Sequence, residues 1–572
     1  MSSLSKQEQL RQLIDEQQEH IRRTFPAHRG SAVVALTRAR DWHYLKLQDT
    51  LNAATQGTKG HSSYLYSSGW HKALQFCFGN AAESPYVSPS VTESTLDGWA
   101  DQVLLECDSL AEGEQVLAHC ETGFMRMQQA GQKDFSVWIA SKKMPTEWRE
   151  RQDIEWWTET LARTYKREMQ ELAVEKVSIQ QQLDVFANQW QASVPVYRTT
   201  QEIDDYYTRL GMLRVKRMVC HFLYPAHTLI GGCTVELYRN VLAVLIGWAL
   251  KHLDVCRAFV VQHSSYTLKA LLAPPHAAAV LIEALSETLG VDGAIIRHVV
   301  DAYSLHHENV SYHCSIAGTP APPLLRLEEQ HLVWSLTGLL SEPFFFLTRE
   351  LKRRHSYEYH TAAHLHEEVF RQDLYQLFSD KRFVRSAGSI ELRGMQGDLT
   401  TDVDALIFDR KTEALALFEL KSQDPFAYSR QERRRQRDYF YNAGKQVLTC
   451  VQWLNRNGAN ALLARLDPKL VKRLRVQKTY IFVLGRYLAH FFDGPEFDRR
   501  AAWGTWPQVL RLVNATSFGA EDAYPIQSLY NKLMKDAPLI SSSPVVDVQE
   551  ITIGDRNVYV YPDFGTYKNQ VG

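Results

Sequence analysis

Hydrophobic and polar positions alternate with period two in two short runs, residues 402–408 and 414–421, on either side of the polar stretch Arg410-Lys411-Thr412-Glu413. That is the pattern of two strands joined by a turn. With a four-residue loop, Asp409 lies opposite Ala414, Phe408 opposite Leu415, Leu406 opposite Leu417, Asp404 opposite Glu419 and Asp402 opposite Lys421. Because side chains change face at every residue, the last four of these pairs share one face, apolar near the turn and charged at the far end. A slip of one residue would set the leucines against the other face, so the pattern itself selects the register.

Elsewhere the period is helical. Glu367, Phe370, Leu374 and Leu377 recur on one helix face upstream of the hairpin. Downstream, Ser429-Arg430-Gln431-Glu432 is a capping-box pattern that opens a helix carrying Arg433, Arg434, Arg435, Gln436 and Arg437. Residues 480–484, YIFVL, read as a buried strand, and 389–394 as the strand before the hairpin. Residues 5–23 carry an apolar stripe, Leu10, Leu13, Ile14 and Ile21, and 31–120 are read as a small α or α+β region. A short strand at 135–140 precedes 146–191, which lacks proline and glycine and predicts one long helix or two consecutive ones. Helical periodicity continues from 204 to about 305, and 242–250 is apolar nearly all round, as at the centre of a bundle.

Residues 317–323, AGTPAPP, hold proline at a density that excludes helix and interior strand. The expected organisation is therefore an N-terminal α or α+β region (1–145), a helical domain (146–316), a Pro-rich linker (317–323), the hairpin domain (324–487) and a C-terminal extension packed on it (488–572).

Composition narrows the class without naming a function. The 572 residues are 45% hydrophobic and 23% charged, ordinary values for a globular chain. With 64 basic and 65 acidic residues, a nucleic-acid partner would need a local patch rather than bulk charge. Such patches exist, at Arg430, Arg433, Arg434, Arg435 and Arg437 and again at Lys469, Lys472, Arg473, Arg475 and Lys478. The eight cysteines form no C-x-x-C pair, and no signal peptide follows Met1, which leads us to expect a cytoplasmic protein. The longest apolar run, 241–250, is too short to span a bilayer, so no membrane association is expected. Two histidine groups, at 306, 307 and 313 and at 355, 360, 364 and 366, lack the order of a zinc site and are read as structural.

The chemistry concentrates at the charged end of the hairpin. Two carboxylates directly opposite, with Cβ atoms roughly 5 Å apart, repel, and a divalent cation would remove that cost. Asp404 followed by Glu419-Leu420-Lys421 supplies hard oxygen ligands for Mg²⁺ and a lysine on the face of Glu419. These residues resemble the signature of the PD-(D/E)xK nuclease superfamily, although Val403 stands where the proline of that name would be. The resemblance covers residues of about 362–487 and implies an α/β nuclease core, αβββαβ with a mixed sheet, preceded by a large, mainly helical N-terminal region. It further implies Mg²⁺, with Mn²⁺ as a substitute, held by Asp404, Glu419 and Glu367, with Glu368 as the alternative to Glu367. Lys421 supports the nucleophile, Gln436 positions it, and Asp402 is a further candidate ligand.

The expected activity is metal-dependent hydrolysis of DNA, with RNA left open and Arg430, Arg433, Arg434 and Arg437 holding the phosphate backbone. An effector in bacterial defence against phage or plasmids fits such a layout, and the helical N-terminal region would hold a protein partner or build an oligomer. The rival reading is a non-catalytic nucleic-acid-binding or scaffolding protein that keeps the fold.

Overall fold

The computed structural model describes residues 5–26, 28–53, 62–78, 94–130, 134–140, 146–189, 199–316, 319–327, 330–394, 399–425, 430–489, 497–514, 522–535, 548–563, 566 and 568. It is a mixed α/β chain, mostly helical, with several separate sheets. The largest has five strands in the order Ala502–Thr505, Lys478–Gly485, Ala414–Lys421, Ala405–Asp409 and Phe383–Arg385. The first three of these run parallel and the last two pair antiparallel.

The hairpin register is the one its hydrophobic pattern requires, with Asp409 opposite Ala414, Phe408 opposite Leu415 and Leu406 opposite Leu417. Both faces of this sheet are covered. On one, Leu406, Phe408, Leu415 and Leu417 pack against Phe440, Ala443 and Val447 of the helix Arg430–Asn457. On the other, Ile407, Ala416 and Phe418 meet Phe370 and Leu374 of His364–Leu377, together with Trp506 and Leu529 from the C-terminal segment.

Three sequence expectations change. The strand expected at 389–394 lies outside this sheet: Ile390–Arg393 pairs with Leu399–Val403 in a separate two-stranded ribbon, and Phe383–Arg385 takes its place. The break falls at Asp404, whose carbonyl accepts from Arg371 Nε at 2.7 Å and whose carboxylate accepts the Leu420 N–H at 2.7 Å. Those side-chain bonds replace the ladder, so pairing stops at Ala405 and Phe418 and does not continue to Asp404 and Glu419. Asp402 consequently faces Glu391, not Lys421.

The Pro-rich segment is also not a free linker. Thr319 to Pro323 are buried, and a four-stranded sheet of Pro275–Ala277, His331–Trp334, Leu324–Arg326 and Ser304–Leu305 joins both sides of the expected boundary. A proline brings no N–H that must be satisfied, so an extended Pro-rich segment can be buried at little polar cost. Gly338 makes room for it, since a Cβ there would stand 1.9 Å from the Pro322 carbonyl oxygen. Ala317 and Gly318 lie outside the described residues.

The third change concerns the C-terminal extension, which divides. Ala502–Thr505 and the helices Trp506–Asn514 and Pro525–Lys535 complete the five-stranded sheet and its packing. The hairpin Gln549–Ile553 and Arg556–Tyr561 instead joins the N-terminal hairpin Met125–Ala130 and Asp134–Ile139, with Val558 beside Phe135 in parallel pairing. That sheet packs with helices Lys6–Thr24, Arg29–Ala53, Ser62–Phe78 and Ser94–Glu121, which makes the N-terminal region α+β.

Between these regions stand the consecutive helices Thr146–Thr164 and Lys166–Gln189, then Gln201–Arg217 and the long central helix Val235–Gln262. Trp157 is buried against Tyr487 and Arg486, and Trp156 carries Arg511 over its ring, so these tryptophans serve packing. The side chains of Trp148 and Trp190 lie outside the described residues. No helix among the described residues is long and apolar enough to cross a membrane.

Helices Gln201–Arg217 and Val235–Gln262 cross at two glycines. A Cβ on Gly211 would lie 2.0 Å from the Ala243 carbonyl oxygen, and one on Gly247 would lie 2.5 Å from that of Tyr207. Backbone cannot yield as a flexible side chain can, so Gly211→Ala is expected to destabilise the protein by about 1–3 kcal/mol. Gly98, in the helix Ser94–Glu121, faces open space. Gly98→Ala should be neutral or stabilise by up to about 1 kcal/mol. Urea midpoints of the two variants test this contrast, and equal midpoints would refute the close helix crossing.

Candidate functional site

Every residue of the strand Ala414–Lys421 is buried, including its two charges. Asp404, Glu419 and Lys421 are only 7%, 5% and 7% exposed. Period two puts Glu419 and Lys421 on the face covered by the helix Arg430–Asn457. Lys421 Nζ donates to Glu419 Oε1 and, at 3.0 Å, to Gln446 Oε1, and it sits 4.9 Å from the centre of the Tyr439 ring.

The electrostatics follow from this confinement. Burial pushes the Glu419 carboxyl up to about 8; Lys421 opposes the rise while Asp404 and Asp402 add to it. Burial also raises Asp404, which the Leu420 N–H and Lys421 offset only in part. For Lys421 burial alone would lower the pKa, but the charge of Glu419 outweighs it and the ammonium is held above its usual range. The site therefore has more buried carboxylate than one lysine can neutralise.

The helix His364–Leu377 supplies the third acid. Glu367 is half-buried, and burial together with the Asp404 charge raises its pKa. Glu368 is turned away, paired with Arg371 and accepting from Gln372 Nε2 at 2.6 Å. Of the two glutamates, Glu367 is the one that faces the cluster. Asp402, although displaced to the neighbouring ribbon, still raises the carboxyls of Asp404 and Glu419 by its charge.

Other expected residues are placed differently. Gln436, expected to position the nucleophile, donates to the Asp424 carbonyl at 2.9 Å. The glutamine at the lysine is Gln446, ten positions further along the same helix. Tyr439 and Gln446 were both missed, yet they lie two turns apart on the flank of the buried stripe Phe440, Ala443, Val447 and Cys450. Counting that stripe along the helix would have found them.

The basic residues separate into two sets. Arg434 and Arg435 are exposed, Arg433 and Arg437 are half-buried, and the side chain of Arg430 and the cap at Ser429 lie outside the described residues. The second cluster, Lys469 to Lys478, is exposed but stands at the wrong end of the sheet, because Lys478 pairs with Ala414 while Lys421 pairs with Gly485. Five residue steps at roughly 3.3 Å put it about 17 Å along the sheet from Glu419.

Among the histidines, His313 is fully buried and bonded to Glu350 at 2.9 Å, and His366 packs on the Tyr224 ring, neither facing the acids. Two contacts outside the cluster fix the end of its strand. The Lys421 carbonyl accepts the Arg486 N–H at 2.7 Å. Asp424 accepts from Tyr359 and, at 3.3 Å, from Lys352.

Among the described residues, no three histidine, cysteine, aspartate or glutamate side chains could hold a metal ion by themselves. Mg²⁺ does not require that, since it is commonly held by one or two carboxylates with its remaining positions kept by water. Among the described residues Asp404 Oδ1 and Glu419 Oε2 accept no hydrogen bond, which leaves two hard donors in a region of excess negative charge. The donor set fits such a cation. No protein-family model, no curated protein and no solved structure matches the chain.

A cation that binds Glu419 must displace its proton, because the carboxyl is raised to about 8. Below that pH, each unit downward should weaken binding about tenfold; above it, affinity should level off. Calorimetric titration with Mn²⁺ between about pH 6 and 9 should show this rise and plateau, and Glu419→Gln should remove the slope. A flat profile would place the titrating group elsewhere.

Proposed function

We propose that the chain is a Mg²⁺-dependent nuclease of PD-(D/E)xK type that hydrolyses phosphodiester bonds of DNA. The observation that carries the reading is the burial of Glu419 and Lys421 in one strand together with Asp404 at the break beside it, with Glu367 turned toward them. Two like charges and their lysine are costly in such a place unless they serve a cation and a reacting phosphate. With the separate ribbon Ile390–Arg393 and Leu399–Val403 and the helix Ala459–Leu466 set aside, the order helix, three strands, helix and strand through His364–Leu377, Phe383–Arg385, Ala405–Asp409, Ala414–Lys421, Arg430–Asn457 and Lys478–Gly485 supports it, being the order that the resemblance leads one to expect.

In this reading Asp404 and Glu419 hold the metal, Glu367 assists them, and Mn²⁺ can substitute. The metal when bound supplies an acidified water and neutralises charge on the phosphate. Lys421, released from Glu419, donates to the attacking hydroxide or to the phosphate oxygen that gains charge. Gln446 and the Tyr439 ring keep the ammonium aimed at that position, and the sequence had led us to expect a glutamine, Gln436, to position the nucleophile. The exposed Arg434 and Arg435 lie on the same helix and would, in this reading, meet the backbone of a strand. A cytoplasmic effector that cleaves phage or plasmid DNA is the biological role this chemistry would serve.

Cleavage of supercoiled plasmid, linear duplex and single-stranded DNA in Mg²⁺ or Mn²⁺ tests the proposal. Activity should vanish in EDTA, and Lys421→Ala should lower the rate by about a hundredfold or more. Metal-supported melting without cleavage would favour a nuclease that awaits an activator. Salt-sensitive DNA binding with neither would favour the non-catalytic module.

The same assay separates the two glutamines. Gln446→Ala should slow turnover by about tenfold through misaimed Lys421, whereas Gln436→Ala should change it by less than about threefold. The reverse order would return the positioning role to Gln436.

A further inference from the structure

Far from the acid cluster in sequence, a cleft of about 420 Å³ opens among the helices Arg29–Ala53, Lys166–Gln189, Gln201–Arg217 and Val235–Gln262. That volume falls in the usual range for small-molecule sites, roughly 300–1,000 Å³. Four cations line it, Lys176, Arg214, Arg217 and Arg257, against two carboxylates, Asp49 and Asp254.

The carboxylates do not cancel the cations. Asp254 is already engaged by Arg257 at 3.4 Å, by Lys176 at 3.7 Å and by the Tyr207 hydroxyl at 2.8 Å. Asp49 is exposed at the rim. Among the described residues Arg214 and Arg217 have no acidic partner, and Arg217 Nε is buried without a hydrogen bond. They stand one helical turn apart, where like charges repel. Burial and the neighbouring Arg214 both push the Arg217 guanidinium down. An anion bridging the two guanidinium groups would remove the repulsion.

The rest of the lining restricts which anion. Leu172, Leu210, Leu213 and Leu253 form an apolar wall, so a bare inorganic ion would leave most of the cleft unused. The carboxamide of Gln48 and the carboxylate of Asp49 add polar groups that an alkyl chain could not satisfy. We propose that this cleft binds a nucleoside phosphate, its phosphate between Arg214 and Arg217, its base on the leucine wall, and its hydroxyl or amino groups on Gln48 and Asp49. The ligand is either a free nucleotide or the phosphorylated end of a strand. The proposal does not depend on the nuclease assignment.

The test is calorimetry on the full chain in EDTA with AMP, ATP, GTP and UMP, and with inorganic phosphate and a 5′-phosphorylated single-stranded tetramer as separate arms. At least one mononucleotide or the tetramer should bind saturably and at least about tenfold more tightly than phosphate. Arg217→Ala and Arg214→Glu should each weaken it by on the order of tenfold to a hundredfold, the loss expected of a charge-assisted hydrogen bond. Arg214 is exposed, so unchanged melting of Arg214→Glu guards against misfolding as the cause. Lys421→Ala should bind as the wild type does.

Tighter binding of the tetramer than of any mononucleotide would assign the cleft to a strand end, and the converse to a free nucleotide. The proposal is overturned if nothing binds saturably at roughly 1 mM. It is equally overturned if phosphate matches the nucleotides, if both arginine variants bind normally, or if Lys421→Ala abolishes binding.

Discussion

The constraint on which the C-terminal half depends is the cost of holding charge inside a sheet. Asp404, Glu419 and Lys421 are all withdrawn from water, and one lysine faces more than one carboxylate. Such a group persists only if its surroundings over-determine it, and here they do. Arg371 fixes the Asp404 carbonyl, the Leu420 N–H fixes its carboxylate, and Gln446 and Tyr439 flank the ammonium. Each of these bonds falls just where the regular ladder ends, so the same departure from regular pairing that exposes hydrogen-bonding groups also uses them.

A second buried cation ties the halves of the chain together. Arg486 is 1% exposed and donates to Asp373 at 2.5 Å, with Trp157, Phe370 and Trp506 around its guanidinium at 4.8, 4.9 and 5.6 Å. Trp157 belongs to the helical region, Phe370 and Asp373 to the helix that carries Glu367, and Trp506 to the C-terminal segment. Next to it, the Tyr487 hydroxyl donates to the Cys220 carbonyl at 2.5 Å, three residues beyond the helix Gln201–Arg217. Aromatic faces attract a desolvated guanidinium and leave little freedom in its position. The candidate site is thus mechanically continuous with the helices before it.

What the sequence revealed follows from how local the signals are. The hairpin was legible because strand alternation, a polar turn and a leucine pattern all specify one register, and Phe408 with Leu415 and Leu406 with Leu417 meet accordingly. Asp402 was misplaced because that reading continued the ladder past Asp404, and nothing nearby shows that Arg371, thirty-three positions away, ends it. The Pro-rich segment was read by its chemistry alone, although proline excludes regular pairing and does not exclude burial. Gln436 was picked by resemblance, whereas the helix geometry points to Gln446, on the flank of Ala443 and Val447. The cleft at Arg214 and Arg217 left no local signature, since its walls come from four helices spread over more than two hundred residues.

The C-terminal hairpin sets a timetable for making this protein. The strand Asp134–Ile139 finds its second neighbour only in Arg556–Tyr561, and the Asn557 N–H reaches the Asp134 carboxylate at 3.0 Å across 423 positions. At ribosomal speeds of about 5–20 residues per second, that strand waits with an open edge for roughly 20–85 seconds while everything between is synthesised. An unpaired edge is adhesive for as long as it lasts. The N-terminal region therefore emerges well before the segment that completes it. A ribosome that stops before residue 556 releases a chain whose edge at Asp134–Ile139 is unfinished.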